Sequence, residues 1–157
     1  MIDTNLLGII LSFIYVFIVL GLFTLLQKRG LSAEGSRKLV HIGVSNWWLI
    51  AMFCFNNVVW ASVAPAAFIV LNAISYRKDL FSAMERHEGS GDLGTVYYPI
   101  SLLILTILCF GGYSLPYAGA LGVFVMGYGD GLAAVVGKRF GKMKYHISAT
   151  PKATWAV

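Results

Sequence analysis

Gly127-Tyr128-Gly129-Asp130-Gly131-Leu132-Ala133-Ala134, followed after two valines by Gly137-Lys138-Arg139-Phe140-Gly141-Lys142-Met143-Lys144, is a glycine-rich apolar stretch that carries one acid and runs into a block of positive charge. A carboxylate inside a membrane segment costs about 2.5–3.5 kcal/mol on insertion scales, so such an acid faces protein, water or a cation rather than lipid. Asp130 is therefore a candidate for function before anything else is known of the chain. Lys138 follows it by eight residues. At about 1.5 Å of rise per residue the acid lies about 12 Å below the cationic cluster. An acid that can hold a cation, beneath bases that can hold phosphates, has the pattern of a polyphosphate site.

The rest of the chain supports reading that stretch as a membrane helix. Of 157 residues, 58% are hydrophobic and 12% charged, against a usual charged fraction of about 25%. Five apolar segments stand out: Leu6 to Leu26, Val40 to Phe55, Val58 to Ile74, Thr95 to Phe110 and Leu115 to Val136. The expected fold is an all-α polytopic membrane domain, 1–157, with about five transmembrane helices. The first and last segments are long enough to span about 30 Å of hydrocarbon; the middle three need flanking residues to complete them. The first segment begins at Asp3 rather than in a basic region, and its core is longer than that of a signal peptide, so it reads as a retained helix.

Charge sets the orientation. Every Lys and Arg falls in one of three places: Lys28, Arg29, Arg37 and Lys38; Arg77, Lys78 and Arg86; Lys138, Arg139, Lys142, Lys144 and Lys152. The connections at Asn56-Asn57 and from Gly111 to Ser114 carry none. Five crossings with the N-terminus outside bring all three basic stretches to the cytoplasm, as the positive-inside rule expects. Such a face meets anionic lipid heads or nucleotide phosphates. Basic residues there also serve orientation alone. Cys54 and Cys109 read as packing residues, although a disulfide between them is geometrically conceivable. Neither has zinc-like spacing to His41, His87 or His146. There is no repeat and no nucleic-acid-binding module.

Three constellations can carry chemistry. On the last helix Gly127, Asp130, Ala134 and Gly137 share a face; small residues there let a neighbouring helix approach, so Gly127 with Gly131 also reads as a packing motif. In Arg37-Lys38-Leu39-Val40-His41 the two bases lie four and three residues from His41 and point with it toward one neighbourhood. His41 reads as a general base for a hydroxyl, a phosphate ligand, or a hydrogen-bonded histidine of the membrane boundary. The stretch Glu85-Arg86-His87-Glu88-Gly89-Ser90-Gly91-Asp92-Leu93-Gly94-Thr95-Val96-Tyr97-Tyr98-Pro99 reads as a solvated turn leading into interfacial aromatics. Its alternative reading is a site wall, in which Glu85 or Glu88 joins Asp130 around a metal ion and Gly94-Thr95 meets a phosphate through the backbone. Asn72 and Ser75 sit at the cytoplasmic end of the third segment, where they can line the same cavity.

Together these segments resemble the membrane lipid kinases that phosphorylate polyprenols, dolichol, phytol or diacylglycerol, typically from CTP, within a wider family that includes phosphatidate cytidylyltransferase. The resemblance rests on Arg37-Lys38-x-x-His41, on Glu85-Arg86 followed by Gly94-Thr95-Val96-Tyr97-Tyr98-Pro99, and on Gly129-Asp130-Gly131-x-Ala133 with Gly137-Lys138-Arg139-Phe140-Gly141-Lys142. It covers Arg37 to Trp155.

It implies phosphoryl transfer from CTP with magnesium to an isoprenoid or diacylglycerol hydroxyl, at the cytoplasmic face of what is expected to be a bacterial cell membrane. Asp130 and His41 would be catalytic, and Asp130 with Glu85 would hold the metal. Arg37, Lys38, Gly129, Gly131, Lys138, Arg139, Lys142 and Lys152 would bind nucleotide phosphates, and Asn72, Gly94, Thr95 and Tyr98 would line the lipid site. Where the kinases look like Lys-Ser-x-Glu-Gly-Ser, this chain has Lys152-Ala153-Thr154-Trp155-Ala156-Val157, with Ala156 in place of the glutamate. A truncated or divergent member, needing further C-terminal helices or an oligomeric partner, is expected. The tail from Ser148 to Trp155 also resembles the cytidylyltransferases, which attack the α-phosphate of CTP with phosphatidate. A small transporter and an inactive fragment are the remaining alternatives.

Overall fold

The computed structural model describes residues 3–78, 94–141, 144–146 and 154–156. Helix α1 (Thr4–Lys28) is capped by Asp3, whose carboxylate accepts the Asn5 N–H at 2.9 Å. It ends where Gly30, at φ 108°, turns the chain, a conformation open to glycine at little cost. Helix α2 (Ala33–Ser45) starts at once, with Ser32 Oγ accepting from Gly35 N at 3.1 Å. The two helices run antiparallel: Tyr15 Oη donates to Gly43 O at 2.8 Å and Ser36 Oγ to Phe23 O at 3.2 Å.

The second apolar segment, expected as one stretch from Val40 to Phe55, is divided. Asn46 Nδ2 donates to Ile42 O at 2.9 Å and its backbone N–H bonds to Gly43 O; a side chain that competes for helical carbonyls favours such a break. Helix α3 (Trp47–Cys54) follows. Asn57 Oδ1 then receives the N–H groups of Val59 and Trp60 to open α4 (Val58–Lys78), which holds Pro65 in its interior. Helix α5 (Gly94–Phe110) packs along α4 and contains Pro99.

The last apolar segment forms α6 (Pro116–Phe124), a single π-helical turn (Val125–Gly129) and α7 (Asp130–Phe140) in unbroken succession. An added residue of this kind is a frequent mark of functional sites. All five segments are thus helical, as the all-α expectation had it, and a short strand ladder is added at the end of the chain. There β1 (Lys144–His146) pairs antiparallel with β2 (Thr154–Ala156), with Tyr145 opposite Trp155.

The core gathers around Trp48, which is fully buried and donates Nε1–H to Pro116 O at 2.9 Å. Gly119 lies so close to Trp48 and Cys109 that no side chain fits there. Both thiols are free, as packing residues should be. The outward faces are apolar, with Ile18, Phe53, Val59, Val70, Leu121 and Val125 exposed, far more than a water-facing surface of this size usually shows. Only α1 among the described helices is long and apolar enough by itself to cross a membrane; Val58–Ile74 and Tyr97–Phe110 are shorter apolar stretches.

Candidate functional site

The rod formed by α6, the π turn and α7 lies antiparallel against α2, and glycine makes the contact possible. A Cβ on Gly127 would stand 2.6 Å from Ser45 Cβ, and one on Gly131 would stand 2.5 Å from Ile42 Cδ1. Tyr128, on the π turn, exchanges hydrogen bonds of 2.9 and 3.0 Å with the Asn46 amide at the end of α2. Gly127 and Gly131 therefore serve helix packing, the reading that small residues on this face also offered. Gly131 is buried against α2, which leaves no room for a phosphate on that side. Gly129 is exposed, and a Cβ there would come no nearer than 4.0 Å to the Val125 side chain.

This close approach joins two residues that are 92 positions apart. Lys38 Nζ lies 2.5 Å from Asp130 Oδ1 and 2.6 Å from Oδ2, a two-pronged ion pair at the first residue of α7. Its two ends are unequal: the lysine side chain is 10% exposed and the aspartate side chain 50%. The aspartate side chain remains half open while the lysine side chain is enclosed. Sequence reasoning selected both residues, Lys38 as a phosphate ligand and Asp130 as a metal ligand, and did not foresee that they neutralise each other. Arg37 stands beside Lys38 on α2, half-buried and with contacts of its own.

His41 is turned to another set of neighbours. Its ring lies 4.5 Å from that of Tyr98 on α5, and Tyr98 Oη donates to the His41 carbonyl at 3.1 Å. The expectation that Arg37, Lys38 and His41 face one neighbourhood is corrected accordingly: Lys38 serves the α7 side, and His41 a cavity between α1, α2, α4 and α5. That cavity is small, and part of it is open to the outside. Apart from His41, Asn72 and Tyr98 its lining is apolar, with Leu20, Phe68 and Leu102 among the walls. Asn72 and Tyr98 line this cavity, which does not include Asp130 or Lys38.

Other expected site residues are placed only in part. Lys138 and Arg139 lie on the last turns of α7, and Gly94 and Thr95 on the first turn of α5. Glu85, Lys142 and Lys152 fall outside the described residues. Among the described residues no group of three His, Cys, Asp or Glu side chains is arranged to hold a metal ion. A single half-exposed carboxylate fits a magnesium ion that arrives with nucleotide phosphates and keeps several waters, rather than a resident, fully liganded ion.

Comparison with known proteins gives three relatives. The chain is 36% identical over 128 residues to a phytol kinase of Synechocystis sp., across 78% of this chain and 52% of the relative. It is 32% identical over 134 residues to probable phytol kinase 1, chloroplastic, of Glycine max, across 78% of this chain and 43% of the relative. It is 26% identical over 142 residues to a probable phytol kinase, chloroplastic, of Triticum aestivum, across 83% and 46%. The chain spans about half the length of the curated relatives it matches. No family model matches it, and no solved structure does.

Proposed function

Because the chain belongs to the polyprenol and phytol kinase family, we propose that it is the part of a membrane lipid kinase that joins a nucleotide phosphate site to a lipid alcohol site. The observation that carries this reading is the Lys38–Asp130 pair, an enclosed ammonium and a half-open carboxylate, one helical stretch from the bases at Lys138 and Arg139. The grouping of the Lys and Arg residues at one side of the apolar segments supports an orientation with that end of the bundle in the cytoplasm. CTP is the proposed donor and an isoprenoid alcohol the acceptor. Asp130 is the residue that would hold magnesium, which would supply neutralisation of phosphate charge there.

The remaining steps belong to the chain's own side chains. Binding of the nucleotide complex releases Lys38 from Asp130, and the freed ammonium faces the phosphates together with Arg37, Lys138 and Arg139. Those cations stabilise charge as it shifts toward the leaving diphosphate. The lipid hydroxyl approaches from the cavity, where His41 is placed to accept its proton. Positioning supplies most of the rate in phosphoryl transfer, so the helix contact at Gly127 and Gly131 is part of the machinery.

The test uses reconstituted protein with magnesium and CTP labelled separately at the α- and γ-phosphates, offered phytol, diacylglycerol and phosphatidate. Label from the γ-position on a lipid alcohol supports the kinase. Label from the α-position on phosphatidate would replace it with the cytidylyltransferase reading, and no nucleotide binding at all would refute both.

A further inference from the structure

Two irregularities in the bundle face each other. Helix α2 ends at its break at Asn46, and the rod opposite carries the π turn Val125–Gly129. They are bonded directly, since the Asn46 amide and the Tyr128 hydroxyl exchange hydrogen bonds of 2.9 and 3.0 Å. A π turn is rare, and contacts outside the rod hold this one: the Tyr128 bonds, and the seat of Gly127 on Ser45.

The extra residue decides which side chain meets α2. Val123 is fully buried on the inward face of α6. At about 100° per residue, an unbroken α-helix would bring Asp130 to within about 20° of Val123 and would turn Gly131 about 80° away. The observed burial is the opposite, with Gly131 buried and Asp130 exposed. A turn that takes up one residue more sets the following helix back by about 100°, which returns Gly131 to the face of Val123 and puts Asp130 on the flank. Val125, Gly129 and Ala133, which the same count turns outward, are all exposed.

The contact position suits glycine and not an acid. A Cβ on Gly131 would already lie 2.5 Å from Ile42 Cδ1 and 3.4 Å from the Lys38 carbonyl oxygen, so a carboxylate there would press on an apolar side chain and on another acceptor. On the flank, the carboxylate of Asp130 reaches the Lys38 ammonium while its side chain stays 50% exposed. Tyr128 and Asp130 are two positions apart, which at about 100° per residue puts them on opposite flanks of the rod. The Tyr128 ring stands edge-on to Phe124 at 6.1 Å. Its hydroxyl thus ties the rod to α2 on one side of the glycine contact, and the ion pair does so on the other.

We propose that Tyr128 and Asn46 are positioning residues for Asp130: by holding the π turn they keep glycine at the helix contact and turn the carboxylate to the open flank, where a ligand can reach it. What that ligand is rests on the proposed function; the aiming of the carboxylate does not.

The test is a double-mutant cycle on the whole chain in detergent. Lys38→Met and Asp130→Asn, alone and together, give the coupling of the ion pair as the non-additive part of their melting temperatures. In a Tyr128→Phe background, which keeps the ring and removes the hydroxyl, the coupling should fall to about half or less. A tyrosine that merely added stability would lower every melting temperature and leave the coupling as it was. Asn46→Ala should act as Tyr128→Phe does, and the two together should do no more than either. Removal of Met126 supplies the rescue, because a rod one residue shorter is a plain α-helix with Gly131 still on α2; there Tyr128→Phe should no longer change the coupling. Removal of Val125 gives the same rod if the first deletion does not fold. Unchanged coupling in Tyr128→Phe with the π turn present, or a loss that persists in the shortened rod, would overturn the proposal. Transfer of the γ-phosphate by the same variants separates the aiming from the kinase reading. Coupling lost with transfer undiminished would take Asp130 out of the reaction and leave its aiming by the π turn standing; transfer lost with coupling unchanged would do the reverse.

Discussion

Exchanging Asp130 for asparagine and Lys38 for methionine should have unequal consequences, because the two ends of their ion pair are unequally exposed. Asp130→Asn leaves an ammonium that is only 10% exposed without its counter-charge, whereas Lys38→Met leaves a carboxylate that is 50% exposed and can draw on water. Stranding a fully buried charge costs about 3–5 kcal/mol, and breaking an exposed pair about 0.2–1 kcal/mol. Here the first variant should lose about 1–3 kcal/mol and the second under about 1 kcal/mol, once the open side of the carboxylate is allowed for. At about 2–4 °C per kcal/mol for a chain of this size, Asp130→Asn should lower the melting temperature by about 2–12 °C and Lys38→Met by under about 4 °C. The double variant should lie near Lys38→Met, since no buried charge remains. Melting followed by tryptophan fluorescence in detergent, at matched detergent and salt, measures all three. If Lys38→Met proves as damaging as Asp130→Asn, or the double variant is worse than either, the unequal enclosure of the pair is not what governs its energetics.

Three further outcomes are expected. Gly127→Ala and Gly131→Ala should each cost about 1–3 kcal/mol, since the added methyl meets Ser45 or Ile42 at contact distances no real Cβ keeps, while Gly129→Ala should be nearly neutral; the same melting assay ranks them. Ser12→Ala removes the acceptor of a buried indole N–H and should cost about 1–3 kcal/mol, with Trp47→Phe restoring part of the loss in the Ser12→Ala background. Single cysteines placed at Asn57 and Gly112 in a chain with Cys54 and Cys109 replaced by alanine should react with an impermeant maleimide from outside intact cells, and one at Gly30 should not; equal labelling at all three would refute the five-crossing orientation.

The helices were legible because apolar length and basic punctuation report directly on them. The break at Asn46 was not, since it depends on one side chain choosing a carbonyl within a run that is otherwise uniformly apolar. The π turn left no signal in hydropathy, because the residues around it keep the same composition on both sides of the inserted position. In the candidate site, Asp130, Lys38, His41, Asn72 and Tyr98 were all selected as individuals. Which of them would meet was not accessible: three- and four-residue spacings on α2 cannot decide between two flanking helices, and the decision is made by Gly127 and Gly131, on a helix far along the chain. The β pairing of Lys144–His146 with Thr154–Ala156 lies in a polar stretch where neither period is evident.

The geometry also explains why an ion pair and an apolar cavity belong on one helix. Lys38 and His41 are three residues apart on α2, so the two centres are separated by about 4.5 Å of helical rise, yet they face α7 and α5 respectively. In the proposed reading a lipid with its hydroxyl at His41 would stay in the bilayer and a nucleotide at Asp130 would stay in water, with α2 between them. Transfer between the two needs the cation nearest that boundary to change partners, and Lys38 is the one placed to do so. Bound to Asp130 it keeps an enclosed charge neutral in the absence of nucleotide; bound to phosphate it would leave the carboxylate to the metal. The packing glycines fix α7 close enough for the first state, and the exposed side of Asp130 leaves the second within reach.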